Sequence, residues 1–215
     1  MKIINKEELR ELILNSITTE ELKEYDYSHI TDMGYMFNNC KSLTTIPELD
    51  TSNVVDMGSM FEGCELLIKI PYLDSSKVIN MSFMFDGCES LISIPELNTS
   101  KVNNMSYMFA DCKSLTSIPE LNTSNARNMG SMFEGCELLI KIPNLNTTNV
   151  YNMSYMFAGG TSLVSIPKLD TLNVINMGYM FVGCINLEHC FYDSRIDYNE
   201  INSTKLKQNH PEYFI

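Results

Sequence analysis

A period of 24 residues runs through nearly the whole chain and leaves little freedom in what it can fold into. The triplet Met-x-x-Met-Phe begins at Met33, Met57, Met81, Met105, Met129, Met153 and Met177, each 24 residues after the last. Cys40, Cys64, Cys88, Cys112, Cys136 and Cys184 keep the same step, with Gly160 in the sixth place of that column. Pro47, Pro71, Pro95, Pro119, Pro143 and Pro167 do likewise. A fixed period of this length signals stacked units, each unable to bury its apolar face alone. It also accounts for the composition, since 14 of the 15 methionines lie in the triplets. Residues 58–71 recur letter for letter as 130–143, three units later. Duplication of that kind lengthens a scaffold. A catalytic site needs unlike residues converging on one point and gains nothing from it.

One unit reads from Leu43 as L-x-x-I-P-x-L-D-T-S-N-V-x-D-M-x-x-M-F-x-x-C. Leu43 to Ile46 is apolar and β-compatible, and Pro47, with no N–H for a ladder, ends that strand at once. The following column, Asp50, Asp74, Asn98, Asn122, Asn146 and Asp170, is turn chemistry, as is the Thr column beside it. Each first Met follows an Asp or Asn, the best N-caps. Seven residues later stand Asn39, Gly63, Gly87, Asp111, Gly135, Gly159 and Gly183, which tolerate the left-handed conformation that ends a helix. Met57, Met60, Phe61 and Cys64 share one face of a helix. The spacing predicts a helix of one to two turns, starting there or a turn earlier at Ser52. Too short to stand alone, it packs its Met/Phe face on the strand and on the coils above and below. The expected fold is α/β: a solenoid of seven 24-residue coils with one short parallel strand and one short helix per coil.

The ends depart from the pattern as solenoid caps do. Residues 1–24 are expected to form an N-terminal capping helix, with Asn5 as N-cap, Glu8 three residues on, and an end near Asn15. The solenoid spans 25–193, and 194–215 form a C-terminal cap. The net charge of −12 argues against attachment to nucleic acid or to an anionic membrane surface. No apolar run approaches the ~18 residues of a spanning helix, so membrane insertion is not expected. The start, Met1-Lys2-Ile3-Ile4-Asn5-Lys6-Glu7-Glu8, turns charged too early for a secretory signal, which points to the cytoplasm.

The core x-M-x-x-M-F-x-x-C-x-x-L-x-x-I-P-x-L-D/N-T-S resembles the BspA-type class of leucine-rich repeats, in the variant common in mycoplasma surface lipoproteins. The resemblance covers about residues 25–193. It implies a curved leucine-rich-repeat solenoid and a surface or secreted protein that binds other proteins, host components or neighbouring cells. The absence of a signal sequence sets the two expectations of location against each other. No catalytic residue belongs to the family pattern, so none is carried over.

The cysteines, odd in number and interrupted by Gly160, read as buried reduced thiols. His29, His189 and His210 fall in the two caps and share no motif with a nucleophile. The pairs Glu62/Glu65, Asp86/Glu89 and Glu134/Glu137 read as a solvated rim, with weak calcium binding the minor alternative. No cofactor is expected. The informative column lies two residues after each first Met: Tyr35, Ser59, Phe83, Tyr107, Ser131, Tyr155 and Tyr179. On a helical wheel it points to water. Beside it run Asn38, Glu62, Asp86, Ala110, Glu134, Ala158 and Val182, so the last two coils are expected to expose Tyr155, Ala158, Tyr179 and Val182 together. Such a strip binds a protein partner, allows self-association, or is covered by residues 194–215. A glycan-binding adhesin, with tyrosines stacked on sugar rings, and an acidic mimic of nucleic acid are the alternative functions.

Overall fold

The structure, a computed structural model, describes residues 1–214. Ile215, the end of the expected C-terminal cap, lies outside the described residues. Strands β1 (Lys2–Ile3) and β2 (Tyr25–Asp26) pair in parallel across helices α1 (Lys6–Leu14) and α2 (Thr19–Leu22). Asn5 caps α1 as its sequence predicts: its side chain accepts from the Glu8 amide at 2.9 Å, and Glu8 accepts from the Asn5 amide at 3.0 Å. Leu9 and Ile13 then face inward and close the first coil.

From there the chain winds as a stacked solenoid in which every second amide points along the axis. Met57, Ser59, Phe61 and Gly63 donate to Asn80, Ser82, Met84 and Asp86 of the next coil at 3.1, 2.8, 2.9 and 2.7 Å. The amides between them close turns inside the coil, Met60 to Met57, Glu62 to Ser59 and Cys64 to Phe61. The alternation depends on left-handed residues at two columns, shown by Ser59 at φ +56° and Gly63 at φ +70°. Gly suits such a position. The Ser59 column holds it with Ser, Phe and Tyr, which adopt it rarely.

The helix expected in each coil is therefore absent. Among the described residues the α-helices are α1, α2 and, in the C-terminal cap, α3 (Thr204–Asn209). A helix would keep all its amides within one segment, whereas here half of them hold the neighbouring coil. The expected strand is also cut down, to single rungs such as Ile68 to Thr44 at 3.1 Å and Ile92 to Ile68 at 3.3 Å, because proline follows at once. A second line of parallel bridges joins Asp32, Asp56, Asn80, Asn104, Asn128, Asn152 and Asn176. These residues cap turns rather than helices: Asp56 accepts from the Gly58 amide at 2.7 Å and from the Asn80 side chain at 3.0 Å.

The Met/Phe face is the core all the same. Phe37, Phe61, Phe85, Phe109, Phe133, Phe157 and Phe181 are fully buried and stack face to face, with centroids from 5.5 Å (Phe37–Phe61) to 6.0 Å (Phe133–Phe157). The cysteines line the stack as free thiols. Cys64 donates to the Phe37 carbonyl and Cys88 to the Phe61 carbonyl, each at 3.1 Å. Gly160 breaks this column and leaves a small apolar void among Phe133, Cys136, Phe157 and Leu163.

Phe109→Ala removes a ring packed from both sides and is expected to cost ~3–5 kcal/mol in a denaturant melt. Tyr107→Ala, two residues away on the outside, is expected to cost ~0.5 kcal/mol. Equal losses would contradict the inward and outward assignment. Gly160→Cys fills the void and extends the thiol column. It is expected to add ~0.5–2 kcal/mol, despite a β-carbon placed 3.0 Å from the Phe157 carbonyl. A lower denaturation midpoint for this variant would mean that the void cannot accept the side chain.

Candidate functional site

The outward column of the last two coils carries the Tyr155 and Tyr179 rings. They stack with centroids 5.0 Å apart and planes 24° apart, and remain 38 % and 50 % exposed. Their outward direction comes from the left-handed backbone, φ +55° at Tyr155 and +57° at Tyr179, and not from a helical face. The helical wheel pointed the column the right way through the wrong geometry. Leu172 and Ile175, close by along the same coil, are 84 % and 86 % exposed, and Tyr151 stands one coil before Ile175. The Ile175 amide donates to the Tyr151 carbonyl at 2.8 Å, which sets those two side chains in register.

Ala158 does not join the strip, being 3 % exposed. Its column sits beside the left-handed residue, inside the turn that the Ala158 amide closes onto Tyr155 at 3.0 Å. Val182 at the same place in the last coil is half-buried. The tail reaches only the edge of the strip, where Tyr179 and Val182 face Arg195, Ile196, Asp197 and Glu200 across a cleft of about 170 Å³. The tail's own rings pack together instead, Tyr192 on Tyr198 at 5.7 Å and Tyr198 on Tyr213 at 5.0 Å. Phe83 and Tyr107, expected in the same outward column, also stack, with centroids 4.5 Å apart, a pairing not anticipated from the sequence. The signal lay in the three-coil duplication, which carries Ser59, Phe83 and Tyr107 onto Ser131, Tyr155 and Tyr179.

The remaining polar groups serve the fold. Thr51, Thr99, Thr123 and Thr147 are buried, and Thr51 donates to the Asp74 carbonyl of the next coil at 3.0 Å. The acidic pairs are not one solvated rim. Glu65 and Glu89 pair with Lys41 at 2.6 Å and Lys113 at 2.7 Å, while Glu62, Asp86 and Glu134 are half-buried. Burial, and then the neighbouring carboxylates of Glu62, Asp111 and Glu134, push Asp86 up to about 6. Burial also pushes the Cys64 thiol up to about 12, far from a nucleophile's range. Among the described residues no three His, Cys, Asp or Glu side chains form a metal-ligand set, and no helix is long and apolar enough to cross a membrane.

A family model described as Mycoplasma protein of unknown function, DUF285, matches residues 8–116, 67–164 and 135–207. No curated protein sequence matches. Among solved structures, the leucine-rich repeat protein of Treponema pallidum is similar at 22 % identity and a TM-score of 0.42, over 66 % of this chain and 76 % of that one. A leucine-rich repeat protein from Bacteroides ovatus is similar at 21 % identity and a TM-score of 0.42, over 70 % of this chain. The alignment spans 48 % of the Bacteroides chain, about half its length.

Asp86 gives the acidic column a testable signature. An unfolded aspartate titrates near ~4, so between about pH 4 and 6 the folded chain holds a proton that the unfolded chain has released. This group's contribution to stability is therefore present at low pH and is lost as pH rises through about 6. Asp86→Asn is expected to raise the melting temperature at neutral pH and to flatten its fall between about pH 4.5 and 7. A gap between variant and parent that does not widen with pH would show that Asp86 ionises normally.

Proposed function

The chain belongs to the DUF285 family of mycoplasma-type proteins of unknown function, and we propose that it is a non-enzymatic scaffold of seven 24-residue coils that binds another protein through its last two coils. The observation that carries this reading is the exposed Tyr155–Tyr179 pair, with Leu172 and Ile175 also exposed earlier in the last coil, on a solenoid whose core makes no use of these side chains. Large apolar groups left in water mark interaction surfaces, and tyrosine supplies apolar area with a polar tip at small entropic cost. The net charge of −12 favours a partner whose apolar contact is rimmed by basic groups. A sugar-binding platform presents open ring faces to solvent, whereas these rings stack on one another at 5.0 Å and stay only 38 % and 50 % exposed. That arrangement suits a protein anchor better than an adhesin.

Tyr155→Ser with Tyr179→Ser copies the residues already present at Ser59 and Ser131, at φ +56° and +55°, so the backbone accepts the change. Aromatic anchors carry about 2 kcal/mol or more each. The double variant is expected to weaken capture of the wild-type partner, or self-association, by well over tenfold with the melting temperature unchanged. An earlier melt would assign the pair to the fold, and unaltered binding would move the site elsewhere. Wild-type binding on a glycan array, lost in the double variant, would favour the adhesin.

A further inference from the structure

Two of the three histidines meet where the C-terminal cap joins the last coil. His189 occupies the place held by Ser93, Ser117 and Ser165 in earlier coils, and His210 is the C-cap of α3. Helix α3 is pinned to that coil by Lys205 on Glu188 at 2.6 Å and by the Asn209 side chain on the Glu188 carbonyl at 3.3 Å. The His210 ring is fixed by stacking on Tyr213, with centroids 4.6 Å apart and planes 7° apart. His189 Nδ1 and His210 Nε2 then lie 3.3 Å apart, with the ring planes 85° to one another. The far nitrogen of His210, Nδ1, is 3.3 Å from Glu212 Oε1.

A carboxylate only accepts, so the hydrogen of a neutral His210 ring sits on Nδ1, and Nε2 turns a lone pair toward His189. Two imidazole nitrogens on one tetrahedral ion, each at ~2.0–2.1 Å, are held ~3.3 Å apart. That is the separation found. A carboxylate on the distal nitrogen orients a metal-bound histidine and raises its basicity. We propose that His189 and His210 form a two-ligand site for a borderline transition-metal cation, Zn²⁺ foremost, with Glu212 as positioning residue, and that the ion staples α3 to the last coil. Imidazole pairs favour Zn²⁺, Ni²⁺ or Cu²⁺ over oxygen-seeking Mg²⁺ and Ca²⁺. With water completing the coordination, binding is weaker than at a structural zinc site of four protein ligands. The Cys190 thiol, next in sequence to His189, is pushed up to about 12 by burial and does not compete in the folded chain.

The test titrates the full, folded, reduced chain with zinc chloride at about pH 7.5 by calorimetry, with cobalt absorption as a second probe. One ion per chain and a higher melting temperature with zinc are expected. His189→Ser, which installs the residue of the earlier coils, and His210→Ala should each weaken binding at least tenfold, while His29→Ala changes nothing. Glu212→Gln should weaken it about tenfold and leave the metal-free melting temperature unaltered. No bound ion, or binding that survives both histidine substitutions, overturns the proposal. It also fails if the substitutions destabilise the metal-free chain while zinc never stabilises the parent, because the contact is then a hydrogen bond.

Discussion

Everything in the solenoid depends on the passing of alternate amides from one coil to the next. Because Met57, Ser59, Phe61 and Gly63 reach forward while the amides between them turn back, the chain meets its neighbour with a period of two. Adding or removing one residue would exchange the bridging set for the inward set, as a register slip does in a sheet. That constraint holds the 24-residue step and, with it, every column of side chains. It places one Phe above another through the whole stack and a thiol under the Phe carbonyl of the preceding coil. Backbone strain at the left-handed columns is the cost, and the inter-coil bonds offset it.

A directional ladder has two unlike ends. At the first coil the carbonyls of Gly34 and Met36 have no preceding coil to serve, and α1 supplies cations instead. Lys6 donates to Gly34, and Arg10 to Met36 at 2.7 Å. At the last coil the unserved groups are donors. No backbone carbonyl among the described residues accepts from Met177, Tyr179, Phe181 or Gly183. The cap covers this end through apolar contacts of Ile196, Ile201 and Leu206, which are buried, and through Arg195, which donates to the Val174 and Thr171 carbonyls at 2.6 and 2.8 Å. The N-terminal cap is thus fastened to the ladder itself and the C-terminal cap to the core and the coil edges. That difference makes the attachment of α3, through Glu188 and the histidine pair, the more consequential of the two.

The sequence made the columns legible because each is a chemical type repeated at one step. The cap of α1 could be read from Asn5 and Glu8, the turns from Asp50 and its column, and the buried face from Met57, Met60, Phe61 and Cys64. Hydrogen bonding between coils was not legible. Apolar residues at those spacings satisfy a short helix and a chain of turns equally well, and only the partner of the Ser59 amide, 23 residues away at Ser82, separates them. Ala158 was misplaced for the same reason. A helical phase sets its column outside, whereas a turn closed onto Tyr155 folds it in. The left-handed tyrosines could not be foreseen from residue type, since Gly, Asn and Asp are the usual signals for that conformation.

The outward column then separates what folding requires from what it merely permits. Ser59 and Ser131 are buried, and Tyr155 and Tyr179 project into water, yet all four share one backbone conformation, and Ser59, Ser131 and Tyr155 pass the same amide to the next coil. A serine therefore meets every demand the solenoid makes at this position. A bulky ring adds an uncommon left-handed conformation and leaves apolar surface in water, neither of which stabilises the free chain. Stacking at 5.0 Å recovers part of that cost but leaves the outer edges of both rings bare. The core columns are uniform because the stack dictates them. The stack leaves the outward column free to vary, from Ser59 and Ser131 to Tyr155 and Tyr179, and that freedom is what the proposed contact of the last two coils would use.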